Sequence, residues 1–127
     1  MSAPDGRLRP HPSNRLTGPV VSLDLPALAR ALRAEPHPAR DGHRQEGLIH
    51  RGRLRIVLFT FDAGGRLPDH RAPGHVVIQC LRGKLEVAAG DTSHHLDAGG
   101  VLVLDPAEPH SVEAPIESDM LLTVCMD

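Results

Sequence analysis

The chain has 127 residues, enough for one domain, and 40% of them are hydrophobic, which is sufficient for a core. A formal net charge of −2 argues against the global basic field that draws proteins to nucleic acid or membranes, and we expect neither partner. No apolar run approaches the roughly 20 residues that span a bilayer.

The compartment is predicted from the N-terminus and from the cysteines. Residues 1–10 contain no hydrophobic signal core, which predicts a cytoplasmic protein. Cys80 and Cys125 each lie in an apolar strand run, so we expect two buried, reduced and unbridged thiols.

The N-terminal third of the chain is predicted to contain an arm and one helix. Residues 1–19 are rich in Pro and Gly without a periodic apolar pattern, which indicates a flexible N-terminal arm. Residues 20–43 are predicted to form a short helix and a loop. The helix covers residues 24–34, where Asp24 caps the N-terminus and Pro26 suits the first turn.

The rest of the chain has the apolar period of β-strands, and residues 44–127 are predicted to form one barrel. The first hairpin pairs residues 45–50 with residues 53–62. Gly-rich turns separate about nine or ten short strands, which indicates an antiparallel sandwich or barrel. The strand at 53–62 is apolar at both parities, which predicts burial on both of its faces and favours a homodimer.

Two histidines stand at the ends of strand runs that lie far apart in the chain, His70 and His110. Strands from distant parts of a chain can aim such side chains into one cavity, which is how a small barrel makes a metal or ligand site. Six further histidines are predicted to have solvated side chains, namely His11, His37, His43, His50, His94 and His95.

The residues around these two histidines resemble the cupins, a family of small double-stranded β-helix barrels of the jelly-roll type. The first cupin motif matches in spacing at Gly64, His70, Ala72, Val76 and Gly83. The second matches at Gly99, Asp105, Ala107, His110 and Ala114. The resemblance covers about residues 45–126 and implies an all-β jelly-roll barrel preceded by one short helix.

The resemblance also implies a metal site, for which the donors are only partly present. Metal-binding cupins supply three histidines and one glutamate, and here Ala72 and Val76 stand at two of those four positions. His75 lies beside the missing glutamate position, and a break at Pro73-Gly74 could turn it inward. Gln79 would face the site only if a bulge near that break changed the strand phase. The predicted metal ligands are therefore His70, His75 and His110.

Three functions stay open on these residues. The first is a metal-dependent cupin enzyme that acts on a small molecule with zinc, iron, manganese or nickel; its catalytic residues are not identified. The second is a non-catalytic barrel without metal that binds or senses a small-molecule ligand. Its predicted lining consists of Leu58, Val76, Ile78, Cys80 and Val103. The third is an interaction module with a vestigial pocket. Small cupins commonly form dimers, which supports the predicted homodimer.

Overall fold

The computed structural model describes residues 16–36 and 39–127. Most of the predicted arm, residues 1–19, lies outside these residues. No helix within the described ranges is long and apolar enough to cross a bilayer.

The helix, α1, covers Leu25–Arg33 and begins where the sequence predicts. The Asp24 side chain accepts a hydrogen bond from the backbone N–H of Ala27 at 3.1 Å, and Pro26 occupies the first turn. This cap satisfies one of the N–H groups that the first turn leaves without a partner. Ala29 and Leu32 are the buried side chains of the helix.

Nine strands follow, and they form two antiparallel sheets as a jelly-roll barrel requires. The five-stranded sheet has the order β1-β2-β9-β4-β7, and the four-stranded sheet has the order β3-β8-β5-β6. The strands are β1 (His43–Arg51), β2 (Leu54–Phe61), β3 (Gly65–His70), β4 (Gly74–Arg82), β5 (Lys84–Ala89), β6 (Thr92–Asp97), β7 (Val101–Leu104), β8 (His110–Ala114) and β9 (Ser118–Met126).

The strand β2 is buried on both faces, because it lies between two apolar clusters. Phe59 and Phe61 belong to the core between the sheets. Ile56 and Leu58 belong to a second cluster, which α1 covers on the outer face of the five-stranded sheet. The pattern that favoured a homodimer is thus explained within one chain, and it carries no information about a partner.

An ionic cluster fastens α1 to the barrel. Arg33 donates to the carboxylate of Asp119 on β9, and the Arg82 Nε donates to the same carboxylate at 3.1 Å. Arg82 also bonds the carboxylate of Glu117, and this bond lowers the pKa of Glu117. The Asp119 side chain is only 8% exposed, so two guanidinium partners compensate its burial.

The two cysteines differ in exposure. Cys80 is buried in the core, and burial raises the pKa of its thiol. Cys125 is exposed, so the prediction that both thiols are buried is wrong for this residue. Alternation along β9 turns Cys125 outward near the end of the strand, while its neighbour Val124 packs in the core. Both thiols are unbridged, as expected.

Candidate functional site

The structure brings His70 and His110 together. They face each other across the β3–β8 pair, and their ring centroids are 4.0 Å apart in an edge-to-face arrangement. His70 ends β3 and His110 begins β8, so the pair lies at one end of the four-stranded sheet.

A β-bulge in β3 selects which side chain faces His110. Leu67 pairs with Val112, and His70 pairs with His110, so β3 has one extra residue between these two pairs. Regular alternation from Leu67 would have brought Asp69 opposite His110. Asp69 is exposed instead. Pro68 lies inside the bulge, where its missing N–H removes no regular ladder bond.

Backbone carbonyls hold both imidazoles in the same tautomer. The Nδ1 of His70 lies 3.0 Å from the carbonyl oxygen of Pro68, and the Nδ1 of His110 lies 3.0 Å from that of Glu108. A carbonyl oxygen only accepts hydrogen bonds, so each Nδ1 donates, and each neutral ring keeps its lone pair on Nε2. The Nε2 atom of His110 is buried and has no hydrogen-bond partner.

His110 is held neutral by its surroundings. The residue is 2% exposed, and burial is the main cause that lowers its pKa below the ordinary value. The neighbouring His70 lowers the pKa further, whereas the hydrogen bond to Glu108 and the charge of Asp69 oppose the shift. A neutral, buried Nε2 is a hydrogen-bond or metal acceptor at pH 7.

The two cupin ligand positions without donors are packed into apolar surroundings. Val76 is 2% exposed in the core between the sheets, and Ala72 packs against the same core. Of the predicted lining, Val76, Ile78 and Cys80 belong to this core. Leu58 lies beneath α1 and Val103 is 63% exposed, so the prediction that these two residues line the cavity is wrong.

The structure does not bring His75 to the pair. Its side chain is 52% exposed and lies 3.7 Å from Asp105 and 3.8 Å from Asp127. The register of β4 against β9 is unbroken from Gly74 to Cys80, so no bulge turns His75 or Gln79 inward. A Cβ at Gly74 would lie 2.0 Å from the backbone of β9, so this glycine permits close strand contact without changing the phase.

The donor set for a metal is therefore incomplete within one chain. Among residues 16–36 and 39–127, no three His, Cys, Asp or Glu side chains are placed to hold a metal ion together. Divalent ions usually take three or four protein donors, so the pair alone does not make such a site. The ligand set His70, His75 and His110 stays a prediction that this geometry does not favour.

The other histidines divide into surface and structural residues. His95 on β6 is exposed and bonds Glu86 at 2.6 Å and Asp97 at 2.8 Å on the outer face. Its neighbour His94 is half-buried and lies opposite Val87 on the other face of the strand. His43 is buried, contrary to expectation, because its ring packs against Phe59 and Phe61 and its Nδ1 bonds a backbone carbonyl. Pairing across the β1–β2 hairpin, which joins His43 to Phe61, was the signal that could have predicted this burial.

A groove of about 400 Å³ lies on the four-stranded sheet, and neither histidine of the pair lines it. Its charged lining residues are Arg66, Asp69, Glu86 and Glu113. The groove is thus a surface feature that is distinct from the His70–His110 pair.

Residues 56–124, more than half of the chain, match the family described as the AraC-like ligand-binding domain. The chain belongs to this family. The match confirms the resemblance to small cupins, because this ligand-binding domain is of the cupin type. No curated protein sequence matches the chain.

Solved structures similar to this AraC-like domain include several cupins. A conserved protein of unknown function from Streptococcus pyogenes has a TM-score of 0.71 at 23% identity, covering 89% of this chain and 93% of its own. A cupin superfamily protein from Desulfitobacterium hafniense has a TM-score of 0.65 at 22% identity, covering 72% of this chain and 84% of its own. Salicylate 1,2-dioxygenase from Pseudoaminobacter salicylatoxidans, solved with gentisate, has a TM-score of 0.66 at 20% identity, covering 80% of this chain and 30% of its own. At these identities the similarity shows the fold alone.

Proposed function

We propose that the barrel binds a small molecule at the His70–His110 pair without catalysing a reaction. The observation that carries this proposal is the buried Nε2 of His110, which has no partner. A buried polar atom left without a hydrogen bond costs about 1–3 kcal/mol, so a ligand that supplies a donor recovers this energy on binding.

The chemistry of the pair defines the ligand class. At neutral pH the neutral ring of His110 presents an acceptor at Nε2, which suits a hydroxyl or an amine and disfavours a carboxylate. The interior of the barrel is apolar, and Ala72 and Val76 pack in its core. The ligand is therefore a mostly apolar molecule that carries one or two hydrogen-bond donors.

A second candidate is a divalent metal bound jointly by the pair and by a chelating ligand. The tautomers support it, since metal-ligating histidines commonly donate the other ring N–H to a backbone carbonyl. His70 and His110 would each contribute Nε2, and the small molecule would supply the donors that the chain lacks. The metal, when bound, would act as a Lewis acid toward that molecule.

We also propose a cytoplasmic location. The support is that Cys80 and the exposed Cys125 are both unbridged, as in proteins of a reducing compartment. Mass spectrometry of protein purified under thiol-blocking conditions tests it, and an intermolecular disulfide at Cys125 would argue against it.

Binding assays with protein lacking a histidine tag test the proposed function. The probes are matched pairs of aromatic compounds that differ in carrying a hydroxymethyl or a carboxylate group, with ligand-detected NMR as the measurement. We expect the alcohols to bind the wild-type protein and to lose about tenfold or more in affinity to His110→Leu, which keeps the volume and removes the acceptor.

The matched control is His95→Ala, which alters an exposed histidine on the outer face of β6 and should leave binding unchanged. Equal affinity of His110→Leu and wild type for every probe would contradict the proposal. Adding EDTA separates the two candidates: metal-free binding resists the chelator, whereas binding through a shared metal is lost.

A further inference from the structure

The four sheet edges differ in how they are protected against pairing with other strands. The edge strand β1 carries charged side chains and a register shift between Gly47 and Ile49. The edge strand β3 carries Pro68 and its bulge. The edge strand β6 carries His95 and its acidic partners. Charges, prolines and bulges are the features by which proteins prevent edge-to-edge pairing.

The fourth edge, β7, has none of these features. Val101–Leu104 reads Val-Leu-Val-Leu, without a charge or a proline, and its register against β4 is continuous. Val101 is 51% exposed and Val103 is 63% exposed. The residues opposite them on β4 are uncharged as well, namely Gln79 and Val77. The outward side of β7 is thus an unprotected apolar edge.

The backbone of β7 also has hydrogen-bonding groups that no residue among 16–36 and 39–127 pairs with. The Cys80 N–H donates to the Gly100 carbonyl at 3.0 Å, at the start of the β4–β7 pair. Because bonded positions alternate along an antiparallel pair, Leu102 and Leu104 bond β4 next. Val101 and Val103 therefore turn two N–H and two C=O groups away from the sheet.

We propose that β7 pairs antiparallel with β7 of a second copy of this chain, around a two-fold axis at Leu102. In this register Val101 lies opposite Val103 of the second copy. By symmetry, Val103 lies opposite Val101 of the second copy. All four outward backbone groups are then bonded, and the two five-stranded sheets join into one.

The sequence of β7 favours a second copy over another occupant. Val101, Leu102 and Val103 read the same in both directions, so a two-fold pair places equivalent side chains together. The one flanking charge, Asp105, would face Gly99 of the second copy, so like charges do not meet. A Cβ at Gly99 would meet nothing within 4 Å, which leaves room there.

The described N-terminal segment lies at the opposite side of the sheet. The carbonyl of Leu16 accepts a hydrogen bond from Arg51 on β1, the other edge of the five-stranded sheet. At Leu16 this segment therefore lies beside β1 and not beside β7.

The size of the proposed interface predicts a weak dimer. A four-residue edge buries less than the approximately 1,600 Å² of a standard interface, so the dimer should dissociate on dilution.

Analytical ultracentrifugation across a dilution series tests the pairing. The test variant is Val101→Lys/Val103→Lys, which alters two exposed side chains and places four ammonium groups along the paired edge. We expect the wild type to dimerise reversibly and the variant to associate about a hundredfold more weakly, because juxtaposed like charges cost several kcal/mol. Circular dichroism verifies that the variant is folded.

Hydrogen exchange measured by NMR provides the second readout. The amides of Val101 and Val103 should gain protection as the wild type dimerises and should exchange freely in the lysine variant. The control is Val20→Lys, which alters another exposed valine, 86% accessible, and should leave the dimer intact. A wild type that stays monomeric, a lysine variant that still dimerises, or protected amides in a monomer would each overturn the proposal.

Discussion

His110 and His95 are both strand histidines with fixed partners, yet their surroundings move their pKa values in opposite directions. Burial lowers the pKa of His110, whose ring bonds a backbone carbonyl. Hydrogen bonds to Glu86 and then to Asp97 raise the pKa of His95, which lies on the surface. The interior position therefore presents an acceptor for a ligand, whereas the surface position holds an ion pair.

Placing a carboxylate inside the barrel should have the largest effect. We expect Val76→Glu to lower the free energy of unfolding by about 3–5 kcal/mol, because it buries a charge without a partner in the core. Denaturant titration followed by circular dichroism measures the loss. Val76 also stands where metal-binding cupins carry glutamate, so added zinc should raise the melting temperature of this variant more than that of the wild type.

The matched control for that variant is Gln79→Glu, which places the same side chain on the outer face of the same strand. It should cost less than about 1 kcal/mol. If Val76→Glu lowers the free energy of unfolding no more than Gln79→Glu does, the interior accepts a carboxylate. The difference between the buried surroundings of His110 and the surface surroundings of His95 would then not extend to other charged groups.

Acid should weaken the fold through His110. Its folded-state pKa is lowered, so below the ordinary value of about 6.5 the unfolded chain binds a proton that the folded chain does not. Stability is therefore full above this pH and falls as the pH drops through it toward the folded-state pKa. Melting temperatures between about pH 7 and about pH 5 should decline less in His110→Leu than in the wild type.

The same variant tests the unpartnered Nε2. At neutral pH, His110→Leu should be as stable as the wild type or more stable by about 1 kcal/mol, because it removes a buried polar atom that lacks a hydrogen bond. Identical pH slopes for the two proteins would show that His110 is not the group that titrates.

The smallest effect is expected at the surface. Glu86→Gln should lower the pKa of His95 more than Asp97→Asn does, because the bond to Glu86 is the larger cause of the raised value. Two-dimensional NMR titration of the imidazole nitrogens measures both shifts. Neither substitution should move the melting temperature measurably, since exposed ion pairs contribute little to stability. A larger response to Asp97→Asn would reverse the assignment.

Alternation and turn residues are sufficient to predict an antiparallel sandwich or barrel, the helix and the approach of two distant strand ends. They determine which face of a strand is apolar, and a barrel must close that face inward. The choice of a jelly-roll barrel rested on the resemblance to cupins. The predicted helix and hairpin agree with α1, β1 and β2 to within about two residues at each end. The proximity of His70 and His110 follows from the same reasoning, because both stand at strand ends.

The details of the site depend on phase changes that residue types do not specify. The bulge that selects His70 over Asp69 sits at Pro68, but a proline is equally compatible with an ordinary edge strand. Gly74 indicates a bulge just as well as the close strand contact that it provides. The orientation of His75 depends on which of these two roles Gly74 has. The close contact of Gly74 with the backbone of β9 keeps the strand regular, so His75 stays on the outer face.

The position of β9 has a consequence for the order in which the molecule folds. This strand follows the other eight in the chain, yet it lies at the centre of the five-stranded sheet, between β2 and β4. Until it is synthesised, β2 and β4 lack the neighbour that joins them, and α1 lacks the anchor provided by Asp119. Such distant pairings pay the entropy of closing long loops before they gain contacts, which slows folding. The nascent chain should therefore remain incompletely folded, with exposed strand edges that a chaperone could protect, until β9 has left the ribosome.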